Sequence, residues 1–435
     1  MHPLKEIFAG LKGGQKAVFS VCTANPLVLR AAMMHAKKYD YILVIEATAN
    51  QVNQYGGYTG MTPADYAALI EVLRTQVDLK RESIILGGDH LGPLTWQNLT
   101  EAEAMENSME LVRAYTMAGF TKIHLDTSMR VADDDSDTAL DVRVCARRGA
   151  QLANCVFQAY EERKRLQPDA LRPVLIIGSE VPIPGGSKEH EDSITPTTPE
   201  EFYRQYNVFS EEFEKAGVAF EDVIAFVVQP GVEFGDDFVF QYDAERVGEL
   251  CQALIEHAPL VFEGHSTDYQ TTESLSHMTR DGIRILKVGP ALTFGLREAL
   301  FLLEECEKLI VSDHAERSRL KETILSVMNA DDRYWKKYYQ GTNEEVEYKK
   351  LYSYSDRCRY YLPDEKIGAA IDTLLTNTSS VPHALVSLYF PRQYEAVLSN
   401  KLSNDGLSLV LDRLGNWCDA YAIACGIKAI HSVTT

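Results

Sequence analysis

Eight short apolar, β-branched runs recur along the first two-thirds of the chain, at residues 17–21, 41–45, 83–86, 122–125, 173–177, 222–228, 259–262 and 283–288. Amphipathic stretches separate them and begin with helix-start chemistry. Thr62-Pro63-Ala64-Asp65 and Thr198-Pro199-Glu200-Glu201 each supply an N-cap hydroxyl, a proline at the first helical position and a carboxylate two residues later. Strand alternating with helix predicts a parallel sheet. An open doubly wound sheet competes, but no Gly-x-Gly-x-x-Gly turn follows an early strand, and eight units suit closure. The expected architecture is an α/β (β/α)8 TIM barrel over residues 1–310 with a helical C-terminal extension over 311–435. In the extension the periodicity turns helical, with aromatic clusters at Tyr334-Trp335, Tyr338-Tyr339 and Tyr360-Tyr361. Such a face packs on its own barrel more often than on a partner.

Composition narrows the function classes. Of 435 residues, 45% are hydrophobic and 24% charged, enough for a core and too apolar for global disorder. A net charge of −20 with no basic stripe opposes nucleic acid and anionic membranes as partners. Eight cysteines without a Cys-x-x-Cys pair suit a reducing compartment. The segment Met1-His2-Pro3-Leu4-Lys5-Glu6 lacks an apolar signal core, so a cytoplasmic location is expected.

Polar residues gather where the predicted strands end, which is where barrel active sites form. In chain order they are Asn25, Glu46, Asp89-His90, His124 with Asp126, Glu180, Gln229, Glu263 with His265, and Lys287. Charged groups beside fully buried strands are expensive to desolvate, which favours a polar site at the barrel mouth. Asp89 and His90 suit either an acid/base pair and metal ligand or a buried structural pair. Glu263 and His265 alternate onto one side and could join His90 around a cation, with Glu180 and Glu233 as further carboxylates. That donor set suits zinc or manganese without choosing between them. A mid-strand His124 is more often a hydrogen-bonded core residue than a ligand. The turn Pro184-Gly185-Gly186-Ser187-Lys188 could offer N–H groups to an anion. Lys287 and Ser266 fall in the phosphate-holding region of barrels, although Lys287 could equally neutralise an interior carboxylate. The sequence contains neither Gly-x-x-x-x-Gly-Lys-Ser/Thr nor Gly-x-Ser-x-Gly, so no nucleotide cofactor and no serine hydrolase elbow is expected.

Gly88-Asp89-His90-Leu91-Gly92 resembles the strand-three element of class II aldolases, in which Asp transfers a proton and His binds zinc. Glu180 with Gly185-Gly186-Ser187-Lys188-Glu189 is similar to that superfamily's glycine-pair loop, and Phe262-Glu263-Gly264-His265-Ser266 to its strand-seven element. Longer blocks at 45–54, 56–65, 228–234, 265–271 and 286–294, with Tyr334-Trp335-Lys336-Lys337-Tyr338-Tyr339, resemble the GatZ/KbaZ family. This resemblance implies the accessory subunit of tagatose-bisphosphate aldolase in galactitol or amino-sugar catabolism. The expected partners are a separate catalytic aldolase subunit and a ketose phosphate ligand, within an oligomer. The site it implies has Asp89 and Glu180 in proton transfer, Asn25, Ser266 and Lys287 on substrate phosphate, and His90, Glu233, Glu263 and His265 around a divalent metal. Two expected zinc-binding histidines are replaced: one lies in Gln229-Pro230-Gly231-Val232-Glu233, the other is Glu263. Gly289-Pro290 stands in place of an asparagine element. The alternative is an autonomous metal-dependent sugar enzyme, such as a ketose epimerase or class II-like aldolase.

Overall fold

Each of the eight runs forms a strand in the computed structural model, which describes residues 1–11, 14–135, 140–178 and 194–429. The strands are β1 (Val18–Cys22), β2 (Leu43–Thr48), β3 (Ile84–Leu91), β4 (Lys122–Leu125), β5 (Val174–Ile177) and β6 (Val223–Val228). A two-stranded antiparallel ribbon follows, β7 (Glu233–Phe234) and β8 (Val239–Phe240), then β9 (Val261–Gly264) and β10 (Ile283–Val288). The ribbon has no precedent in the periodicity, since two-residue strands leave no repeat to read. The others form a closed parallel barrel in the order β1-β10-β9-β6-β5-β4-β3-β2. Closure is made by β1 on β10, with Val18 opposite Ile285 and Val21 opposite Val288, which excludes the open sheet.

The barrel helices are α1 (Pro3–Phe8), α2 (Pro26–Tyr39), α3 (Pro63–Val77), α4 (Glu101–Ala118), α5 (Val142–Leu166), α6 (Pro199–Lys215), α7 (Ala244–Ile255), α8 (Thr272–Arg280) and α9 (Pro290–Ile310). Both anticipated capping boxes are present, Thr62 with Asp65 on α3 and Thr198 with Glu201 on α6. Among the described residues, no helix is long and apolar enough to cross a membrane.

Two apolar layers follow from strand alternation. Inward-facing Val18, Val44, Ile85, Val174, Ile176, Ile224, Val227, Val261 and Ile285 pack with Leu4, Ile7 and Phe8 of α1, which plugs the barrel floor. Outward-facing residues meet the helix ring in a larger cluster. The floor is therefore mainly apolar, and most of the buried ionisable groups of the barrel gather at its other end.

Beyond α9 come α10 (Leu320–Ala330), α11 (Asn343–Tyr352), α12 (Glu365–Asn377), α13 (His383–Tyr389), α14 (Pro391–Leu398) and α15 (Gly406–Ala424). α15 packs against α2, α8 and α9. Tyr421 donates its hydroxyl to the Thr267 carbonyl at 2.8 Å, and Asp419 pairs with His35 at 3.1 Å. Farther up, Arg297 of α9 reaches Asp356 at 2.8 Å, both buried, and Thr293 donates to the same carboxylate at 2.6 Å. That anchor fixes the turn Arg357–Tyr360 over the barrel mouth.

Candidate functional site at the barrel mouth

The strands place seven ionisable side chains in one buried cluster: Glu46 from β2, Asp89 and His90 from β3, Lys122 and His124 from β4, Glu263 from β9 and Lys287 from β10. His265 and Asp126, just past their strands, complete it. Gly87 lets the strands approach this closely, because a Cβ there would stand 2.7 Å from the Glu46 side chain. His90 and Ser266 take left-handed backbone angles, φ 49 and 54, a conformation that non-glycine residues adopt mainly where function or packing compels it.

Within the cluster every carboxylate meets a cation or imidazole. Glu46 contacts both Lys122 and Lys287. Lys122 also reaches Glu263 at 2.7 Å, and Lys287 reaches Asp89 at 2.8 Å and Glu263 at 3.8 Å. His124 Nδ1 lies 2.8 Å from Asp89, His265 Nε2 lies 3.0 Å from Glu263, and His90 Nδ1 lies 2.8 Å from Asp126. The three imidazoles sit edge to face with centroids 5.0 to 5.2 Å apart.

These contacts set the charge states. Burial opposes ionisation of Asp89, but His90, His124 and His265 outweigh it and hold the carboxyl well below its usual range. Burial likewise works against Glu263, which Lys122 and His265 bring down to about 2. His90 is pushed up to about 9 against its burial by Asp89 and Asp126, so it is an imidazolium at neutral pH. Burial lowers Lys287 to about 8, which leaves it an ammonium at pH 7 among its three carboxylates.

Asp89, His90, His265, Ser266 and Lys287 line one side of a cavity at the mouth; Arg359 and Tyr360 from the extension line the other. The Arg359 guanidinium donates to the carbonyls of Ser355 and Asp356 and to the Tyr360 hydroxyl, and no carboxylate pairs with it among the described residues. A neighbouring cavity, lined by Asn25 and Thr59, shares Tyr58, Gln51 and Arg359 with the first.

The structure thus brings together Asp89, His90, Glu263, His265 and Lys287. Ser266 joins them at the cavity wall. Asn25 lies in the adjoining cavity, where its Oδ1 accepts the N–H groups of Leu27 and Val28 as the N-cap of α2. Glu233 lies on the ribbon, its carboxylate accepting from Phe234 N, and is not in the cluster of possible metal donors. Glu180 and the Gly185-Gly186 turn lie outside the described residues. Among the described residues two groups could hold a metal, Asp89 with His124, Glu263 and His265, and Cys22 with Glu46 and Asp89; within each the donor atoms all lie within 4.8 Å of one another. His124 therefore counts among the possible donors, whereas His90 turns its Nδ1 to Asp126. Lys122, read from sequence only as the start of a strand, and Arg359, over fifty residues past the last strand, are functional candidates that sequence reasoning passed over. A lysine at the start of a short strand that also carries His124 was the available signal for Lys122.

Comparison with known proteins fits this picture. The family model described as D-tagatose-1,6-bisphosphate aldolase subunit GatZ/KbaZ-like matches residues 4–426. The D-tagatose-1,6-bisphosphate aldolase subunit GatZ of Salmonella typhimurium is 42% identical over 427 residues, covering 97% of this chain and 99% of that protein. Its Klebsiella pneumoniae counterpart is 41% identical over 428 residues, with the same coverage. A crystal structure from Sinorhizobium meliloti, titled a probable tagatose 6 phosphate kinase, superposes with a TM-score of 0.85 at 40% identity, covering 94% of this chain and 100% of that one. Match along nearly the whole length, in sequence and in fold, means that the chain belongs to the D-tagatose-1,6-bisphosphate aldolase subunit GatZ/KbaZ-like family.

Proposed function

We propose that this chain is the accessory subunit of a tagatose-bisphosphate aldolase, stabilising and fully activating a separate catalytic subunit that cleaves tagatose bisphosphate to two triose phosphates. The observation that carries this reading is the state of Asp89. By resemblance it would move the proton, yet it is buried, ion-paired to Lys287 and hydrogen-bonded to His124. A general base needs a pKa near the working pH, and this carboxyl is held well below its usual range by the imidazoles around it.

A divalent metal is implied by the class II likeness, and the donor chemistry tests it. Two imidazoles and two carboxylates suit zinc or manganese, and His124 Nε2 is buried without a hydrogen-bond partner. Lys287, however, already lies against both carboxylates. The donors do not fit a metal while that ammonium is in place. An autonomous epimerase or aldolase is correspondingly less well supported. The kinase wording attached to the Sinorhizobium meliloti structure has no P-loop sequence behind it in this chain.

In this reading residues 1–310 form the barrel and 311–435 the extension that roofs its mouth. Ser266 and Arg359 suit the phosphate of a ketose phosphate, since Lys287 is committed to carboxylates. The test is to titrate the purified chain into the catalytic subunit and follow bisphosphate cleavage together with the thermal midpoint. Both should rise saturably. No change in either over a broad concentration range overturns the proposal.

A further inference from the structure

Lys287 does more than fill space. Its ammonium touches Glu46 and lies 2.8 Å from Asp89 and 3.8 Å from Glu263. Two of those carboxylates belong to the four-residue donor group, whose imidazoles already lean on them: His124 on Asp89 at 2.8 Å and His265 on Glu263 at 3.0 Å. The remaining nitrogen of His124 is buried and unpartnered. Lys122 touches one carboxylate of this donor set, Glu263, whereas the Lys287 ammonium, carried on β10, lies against both Asp89 and Glu263.

Charge balance points the same way. Glu46, Asp89 and Glu263 bring three negative charges against the ammoniums of Lys122 and Lys287. Without Lys287 the excess would be two negative charges, the amount a divalent ion neutralises. With Lys287 present, a divalent ion on the same carboxylates would meet a like charge at contact range, repelled twice as strongly as a second unit charge would be. Lys287, Asp89 and His265 also line the cavity, so an ion would have a way in.

We propose that Lys287 is a tethered cation that stands in for a divalent metal among Asp89, His124, Glu263 and His265, excluding metal from the intact chain and leaving a metal-binding site when the ammonium is removed. This goes beyond the accessory-subunit reading, and it is tested on the chain alone, so its failure and the failure of that reading are separate events.

The experiment compares the wild-type chain with Lys287→Met, Lys287→Arg and the double variant Lys287→Met/His124→Ala. Each is dialysed against zinc or manganese, and bound metal is counted by mass spectrometry after gel filtration. Wild type and Lys287→Arg should hold little metal. Lys287→Met should hold about one ion per chain with ~100-fold tighter affinity than wild type, as loss of a contact-range like charge implies, and the double variant should lose it. A folded Lys287→Met chain that binds no more than wild type overturns the proposal. Should that variant fail to fold, the wild-type chain decides: stoichiometric metal that depends on His124 while Lys287 is intact also overturns it, and its absence upholds the exclusion.

Discussion

At the scale of single residues, the mouth is built on close approaches that few side chains permit. A Cβ on Gly92 would stand 1.8 Å from the Asp126 carbonyl oxygen, backbone that cannot swing aside as a side chain can. Gly92→Ala should therefore displace the β3–β4 connection and the His90–Asp126 pair, costing about 1–3 kcal/mol, as overpacked core substitutions do. Chemical denaturation would show it, and a shift below about 0.5 kcal/mol would mean that the loop yields freely. Individual residues were also the least evenly legible part of the sequence. Asp89, His90, Glu263 and His265 announce themselves because charged groups at strand ends need a reason. Lys287 admitted two readings, phosphate binding or neutralisation of interior carboxylates, and only three-dimensional proximity to Glu46 and Asp89 separates them. Glu233 was expected at the metal, but it lies on a two-residue ribbon strand that leaves no periodic trace, and its carboxylate accepts from Phe234 N.

Among secondary elements, the strands and the capped helices were readable and the path of the extension was not. Periodicity reports which face of a helix is apolar, but says nothing of which distant element that face will meet. Thus Tyr360 was visible as part of an aromatic cluster, while the arrival of Arg359 at the mouth depends on a remote anchor. That anchor is the buried Arg297–Asp356 pair between α9 and the segment after α11. Arg297 also donates to the carbonyls of Leu351 and Ser353, so it binds the segment at several points. Arg297→Met keeps most of the volume but strands a buried carboxylate, and should destabilise the chain by about 3–5 kcal/mol. The same variant should release the 351–360 segment, which hydrogen exchange would report as faster exchange there than in the barrel strands. Uniform exchange across the chain would refute the anchoring role.

For the molecule as a whole, the closed barrel followed from counting eight runs, since a sheet of that many short parallel strands has no edge left to protect once it closes. Stability of that barrel should depend on acidity through its floor. His2 is buried, caps α1 by accepting Leu4 N–H on Nδ1 at 3.2 Å, and is pushed down to about 3 from 6.5, first by burial and then by Lys5 and the terminal ammonium. Between those values the unfolded chain binds the proton better, so this contribution is complete above pH 6.5 and is lost as the pH falls towards 3. Denaturant midpoints at pH 7 and pH 4.5 should drop more for wild type than for His2→Asn, which retains a capping oxygen. Equal drops would show that His2 is not responsible.

Ring closure by β1 on β10 has a further consequence for how the chain is made. A ribosome delivers β1 early and β10 more than 260 residues later, so a nascent barrel waits with both edges unpaired for most of its synthesis. Even then α2, α8 and α9 lack their cover until α15 emerges, bringing Leu409, Leu414 and Tyr421 to bury. A chain interrupted before Gly406 would carry a finished barrel with a bare apolar flank, which is the kind of surface that chaperones and proteases recognise. Cover for that flank thus arrives only after the ring has closed, so a truncation ahead of α15 should be cleared faster than the intact chain.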